Sequence, residues 1–100
     1  MVNVYVISKG AHDYKDAKIF GNIVFLSDEP FDPLGTNNMF KKFWLHLKDS
    51  NPDDIILVTG LPVMVGVASA IMGTLHGKVN FLLYRHNGYF VRTIKIKQGE

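Results

Sequence analysis

The stretch from Ile55 to Gly77, IILVTGLPVMVGVASAIMGTLHG, constrains this chain more than any other. It carries no Asp, Glu, Lys or Arg, although those residues make up 20% of the sequence. It reads as a short buried strand over 55–58, a turn at Thr59-Gly60, and a helix opened by Pro62 and closed by Gly77. Proline suits the first helical turn, where its missing N–H would have had no partner. Glycine suits the left-handed position that ends a helix. A strand that turns through glycine into a helix start gathers free backbone N–H groups, a geometry suited to phosphate. Any fold for this chain must bury the segment, and any site built on it lies at its Thr59-Gly60 turn.

A stretch this long and uncharged also has to be weighed as a membrane span. Gly60 and Pro62 interrupt it, its first part is β-branched, and without it the rest of the chain lacks the apolar surface for a core. The expectation is therefore a single domain over residues 1–100, with no membrane partner. The 47% apolar content and twelve aromatics exclude a disordered chain. A formal charge of +2, with Lys and Arg scattered singly or in pairs, argues against a nucleic-acid polymer as partner. The absence of cysteine removes disulfides and thiolate metal sites, and makes a reducing, cytoplasmic setting the natural expectation. MVNVYVIS lacks the basic and apolar regions of a secretory signal.

Taken in order, residues 2–7 read as a strand buried on both faces. Asp13 can cap a short helix through Phe20, closed by Gly21, and residues 22–27 read as a second strand. Residues 28–35, with two prolines, three acids and a glycine, read as loop. Residues 36–49 form an amphipathic helix, capped by Thr36 or Asn37, with an expected apolar stripe of Phe40, Phe43, Trp44 and Leu47. Residues 50–54 turn the chain back into the central strand. Lys78 to Tyr84 and Tyr89 to Lys97 form two strands around an Asn87-Gly88 turn. The order β-α-β-α-β-α-β-β predicts an α/β layered domain, mostly parallel, with a C-terminal antiparallel hairpin.

With Asn87 and Gly88 as turn residues, His86 pairs with Tyr89, Arg85 with Phe90, Leu83 with Arg92, Phe81 with Ile94 and Val79 with Ile96. Arg85 and Arg92 then become diagonal neighbours on the apolar face, where they need an acidic partner or an anion. Asp28, Glu29 and Asp32 are the candidate acids. The turn end of the hairpin lies at the C-terminal edge of the sheet, with Ser8-Lys9-Gly10 and Thr59-Gly60. Open α/β sheets bind ligands at that edge. The expected site combines Ser8, Lys9, Gly10, His12, Tyr14, Thr59, Gly60, Met64, Arg85 and Arg92. Lys9, Arg85 and Arg92 would neutralise phosphate, the backbone at Gly10, Gly60 and the helix start would donate hydrogen bonds, and Tyr14 or Tyr89 would stack on a base.

Other chemistry is poorly supported by the sequence. His12, His46, His76 and His86 have no metal-ligand spacing, so no metal is expected. Ser8, Ser27 and Ser69 lack a nucleophile elbow, and there is no Walker loop or GxGxxG, so neither a catalytic residue nor a cofactor is expected. Gly66, Ala70 and Gly73 line one side of the uncharged helix. That ridge, on a helix apolar all round, predicts self-association into a homo-oligomer.

The loop after the first strand (Val2 to Asp13), with the Thr59-Gly60 turn and helix of Ile55 to Gly77, resembles the ligand edge of CRISPR-associated Rossmann-fold domains and small viral ring nucleases. The chain also resembles small phage proteins that sequester nucleotide immune signals. The resemblance implies a dimeric or oligomeric α/β protein that binds a nucleotide-like, phosphate-containing signal in an anti-defence role. Three functions stay open: sequestration of such a ligand; a metal-independent phosphodiesterase with His12 as base; and a protein-interaction module without a small ligand.

Overall fold

A computed structural model of the chain describes residues 1–8, 13–27 and 32–96. Its strands are β1 (Asn3–Val6), β2 (Asn22–Phe25), β3 (Ile55–Leu57), β4 (Lys78–Arg85) and β5 (Gly88–Lys95). Its α-helices are α1 (Thr36–Leu47) and α2 (Pro62–His76), and a short 3-10 helix, Lys15–Phe20, joins β1 to β2. The sheet has the order β2-β1-β3-β4-β5. Its first four strands are parallel and β5 runs antiparallel to β4. The expected α/β domain with a C-terminal hairpin is what forms. The order also places a topological switch between β1 and β3, where one connection leaves to each side.

Helices α1 and α2 cover one face of the sheet, and the 3-10 helix is packed on the other. Strand alternation separates the two layers. Tyr5, Ile7, Ile56 and Val79 meet Met39, Phe43, Leu47, Met64, Ala68, Ile71 and Met72 on the helical side. Val4, Val6, Ile55, Leu57 and Leu82 meet Ala17 on the other. A central strand buried on both faces explains why 55–57 reads as a continuous apolar run.

Helix α1 differs from the expected stripe. Met39, Phe43 and Leu47, spaced by four, face the core with no exposed surface. Phe40 and Trp44 lie one row round and stay 48% and 37% exposed, stacked on each other at 6.0 Å with 15° between their planes. Ring size misled the periodicity, because an unbranched methionine fills a core as well as an aromatic does. Neither Thr36 nor Asn37 caps the helix: Gly35 holds that position, with no side-chain cap. By contrast α2 follows its sequence, with Pro62 in the first turn and Gly77 at φ 70° as its left-handed cap. Beyond it, Ser50 Oγ lies 2.8 Å from His76 Nε2, which ties the end of α2 to the turn before β3.

That turn carries a buried carboxylate. Asp54, 1% exposed, accepts the Asn3 N–H (2.9 Å) and the Asn51 N–H (2.8 Å). Asn80 donates to the carbonyls of Pro52 and Asp54 and accepts the Thr93 hydroxyl. This chain of bonds crosses from β1 to β5 at the amino end of the sheet and satisfies polar groups that burial would otherwise penalise.

The hairpin turn sits one residue earlier than the sequence suggests. His86 (φ 52°) and Asn87 (φ 61°) are its central residues, and Gly88 already pairs with Arg85. Leu83 therefore meets Phe90, Phe81 meets Arg92, and Val79 meets Ile94. The cost is a histidine in the left-handed region, which glycine would adopt more readily. The compensation lies at the far end of β5. Ile96 donates its N–H to Gly77 and fills the space over Gly73, where a Cβ would collide with its Cδ1.

Candidate functional site

Because one residue moves on each strand, the register changes without exchanging the faces. Leu83, Arg85, Phe90 and Arg92 share the helical side, whereas Tyr84 and Tyr89 pair on the side of the 3-10 helix. Two hollows result, one on each side of the hairpin's turn end.

The first, of about 300 Å³, is lined by Leu83, Arg85, His86, Phe90 and Arg92. Arg92 pairs with Phe81 and Arg85 with Gly88, so the two arginines are four ladder positions apart and are not diagonal neighbours. Phe90 lies between them. The Arg92 guanidinium reaches back over its ring, 5.8 Å from the centroid, while its Nη1 donates to the Val91 carbonyl at 2.8 Å. Neither arginine forms an ion pair among the described residues, and Asp32 instead accepts the Leu34 N–H. Asp28 and Glu29, the other acids considered, lie outside the described residues.

The second hollow, of about 410 Å³, opens at the ends of β3 and β4 and is lined by Asp13, Tyr14, Asp16, Leu57, Val58, Thr59, Tyr84 and Tyr89. Its walls are built from the core outward. Tyr14 packs edge-on against Phe25 at 5.9 Å and its hydroxyl donates to the Ser8 carbonyl at 3.3 Å. Tyr89 is held edge-on by Phe20 at 6.1 Å and by Tyr84 at 5.0 Å. Asp13 accepts the Lys15 N–H at 2.9 Å but is not the expected cap: Tyr14 holds that position, without a side-chain cap, at the start of the 3-10 helix that carries Asp16. Burial pushes the Tyr89 phenol above its ordinary range, and the neighbouring Tyr84, Asp16, Tyr14 and Asp13 add to the shift.

The residues expected to form one site are thus divided. Tyr14 and Thr59 line the tyrosine pocket, and Arg85 and Arg92 line the hollow on the opposite face. Ser8 lies behind, beside Gly60, whose φ of 82° makes the turn into α2. Met64 is 4% exposed and belongs to the core beneath that glycine. Lys9, Gly10 and His12 lie outside the described residues. Of the helix ridge, Gly66 faces open space, with nothing within 4 Å of where a Cβ would stand, and Ala70 is exposed, but Gly73 is covered by Ile96. The expected ligand site does not include Asp13, Asp16 or Tyr84, and the sequence reads Asp13 as a helix cap. Tyr84 was legible in principle, since the Asn-Gly turn places it on the same face as Tyr89.

No group of three or more His, Cys, Asp or Glu side chains able to hold a metal occurs among the described residues. No helix among them is long and apolar enough to cross a membrane.

Strand order, layering and two hollows at the carboxyl edge define a small α/β domain of the open-sheet class, with a hairpin as its last element. The chain belongs to the Phage Pam3 gp32-like protein family, whose model matches residues 3–97. None of the curated proteins and none of the solved structures compared with the chain matches it.

Proposed function

We propose that this member of a phage family binds and sequesters a nucleotide-like, phosphate-bearing ligand, with its phosphate in the hairpin hollow. The observation that carries the reading is the pair of guanidinium groups, Arg85 and Arg92, free of acidic partners among the described residues and set around the half-exposed ring of Phe90. Guanidinium matches phosphate in a bidentate fork, and an exposed aromatic face offers a base somewhere to stack. His86 in the turn supplies a third donor beside them. Binding without turnover fits this set, because none of these groups is arranged as a nucleophile with its base.

The test is a calorimetric titration with AMP and with inorganic phosphate. A charge-assisted bond is worth about 1.5–3 kcal/mol, so Arg92→Ala should weaken AMP binding roughly tenfold or more while the melting temperature stays put. Arg92→Lys should recover part of that loss. A sharp fall in melting temperature with unchanged affinity would make the arginine structural and remove the site from this hollow.

Self-association belongs to the same proposal, and its support is the open strip of α2 at Gly66 and Ala70. Gly66→Leu should lower the sedimenting mass without unfolding the chain. A wild-type protein that sediments as a monomer at high micromolar concentration disposes of the oligomer.

A further inference from the structure

The pocket on the opposite face of the hairpin is unsuited to phosphate, and its chemistry is specific enough to name a different ligand. Its polar rim consists of the Asp13 and Asp16 carboxylates with the hydroxyls of Thr59 and the tyrosines, and no Lys, Arg or His lines it among the described residues. Neither carboxylate is in an ion pair among those residues. An ionised carboxylate only accepts hydrogen bonds, so the rim repels an anion and favours a group that brings positive charge. The walls add to this preference. Tyr84 and Tyr89 meet at 64°, and with Tyr14 they bring three ring systems to one hollow. The face of an aromatic ring is the negative end of its quadrupole and attracts a cation within about 6 Å of the centroid.

A bare metal ion fits poorly, because hard cations want several oxygen ligands and two carboxylates beside apolar ring faces do not supply them. An organic cation fits both halves of the lining, with its alkyl surface against the rings and its charge answered by the acids. We infer that Tyr14, Tyr84 and Tyr89, with Asp13 and Asp16, form a second binding site, for an organic cation of the alkylated-ammonium class. The Tyr89 phenol is raised first by burial, and Tyr84, Asp16, Tyr14 and Asp13 add to that shift from around the same hollow. The position at the carboxyl ends of β3 and β4 is also the one where open α/β sheets take their ligands. The inference is independent of the phosphate reading, since the two hollows lie on opposite faces of the sheet and share no residue.

Choline and its uncharged isostere 3,3-dimethylbutan-1-ol separate charge from shape. The intact protein is titrated with each at millimolar concentration, following tyrosine ring protons by NMR. Choline should shift the Tyr84 and Tyr89 resonances, and the isostere should bind roughly tenfold more weakly or not at all. Tyr89→Leu should abolish choline binding; Tyr84→Leu, at a more exposed position that folding depends on less, should do the same. Asp16→Asn should weaken it severalfold, and Arg92→Ala should leave it unchanged. Equal binding of the isostere, failure of choline to bind the folded protein, or retention of choline binding by folded Tyr84→Leu would each overturn the inference.

Discussion

The two hollows that flank the turn end of the β4–β5 hairpin differ in the charge of their linings, although side chains from the same two strands reach both. On one face Arg85 and Arg92 flank Phe90; on the other Tyr84 and Tyr89 stand beside Asp13 and Asp16. Adjacent residues in a strand point to opposite sides of the sheet, so Val91 and Arg92 are neighbours in sequence but belong to different surroundings. The supporting layers differ as well. The arginine face continues into the core beneath α1 and α2, whereas the tyrosine face is walled by the 3-10 helix, with Asp16 on it and Asp13 just before it. One short ribbon therefore contributes to a hollow lined by arginines and to one lined by acids, and the sheet itself separates them.

The most severe test of this separation exchanges two neighbours. Val91→Arg combined with Arg92→Val keeps composition and net charge but moves the guanidinium to the tyrosine face. AMP and choline binding should then each fall by about tenfold or more, as measured by titration of the folded double variant. Retention of either affinity would mean that its site does not depend on which face the charge occupies.

A smaller effect, on stability, should follow from Gly73→Leu. The new side chain would occupy the space that Ile96 fills, and that seat helps to fix the register of β5. Overpacking of this kind costs about 1–3 kcal/mol, to be read from the urea midpoint. Both ligands should weaken together if the register moves. The contrast with Gly66→Leu, at an open position on the same helix, distinguishes core from surface along α2.

The turn offers a gain in place of a loss. His86 sits at φ 52°, where a Cβ is strained, so His86→Gly should stabilise the hairpin by up to about 1 kcal/mol. The same change removes one donor from the arginine hollow, so AMP affinity should fall modestly while choline affinity holds. The least effect is expected from pH. The Tyr89 phenol is raised above its ordinary value of 10.0, chiefly by burial, and Tyr5 is raised for the same first reason. A raised pKa means that the folded chain holds the proton more tightly than the unfolded one. The stabilisation is complete below about pH 10 and is lost as pH climbs through the folded value. Urea midpoints measured between about pH 9 and about pH 11 should decline, and Tyr89→Phe should reduce the slope.

Much of the scaffold was legible because it rests on local rules. Pro62 and Gly77 mark the ends of α2, the apolar run at 55–57 marks a strand buried on both faces, and the Asn-Gly pair marks a hairpin. Each is a statement about backbone preference or burial that needs no distant partner. The core face of α1 and the exact turn residues were not legible, since Met39 against Phe40, and His86-Asn87 against Asn87-Gly88, are separated by contacts made far along the chain.

The sequence by itself determined the α/β order, the side of the hairpin on which each residue lies, and the grouping of two arginines near its turn. Strand parity survives a shift of one residue on each strand, so those conclusions did not depend on the register being right. Tertiary structure alone decided that residues expected to share one site line two separate hollows. It brings Asp13, just ahead of the 3-10 helix between β1 and β2, and Asp16, on that helix, to the same hollow as Tyr84 and Tyr89, about seventy residues later in the chain. No local pattern encodes that meeting, because it depends on a sheet order that puts β1 and β3 between them and on the hand of the connection that lays the 3-10 helix across one face.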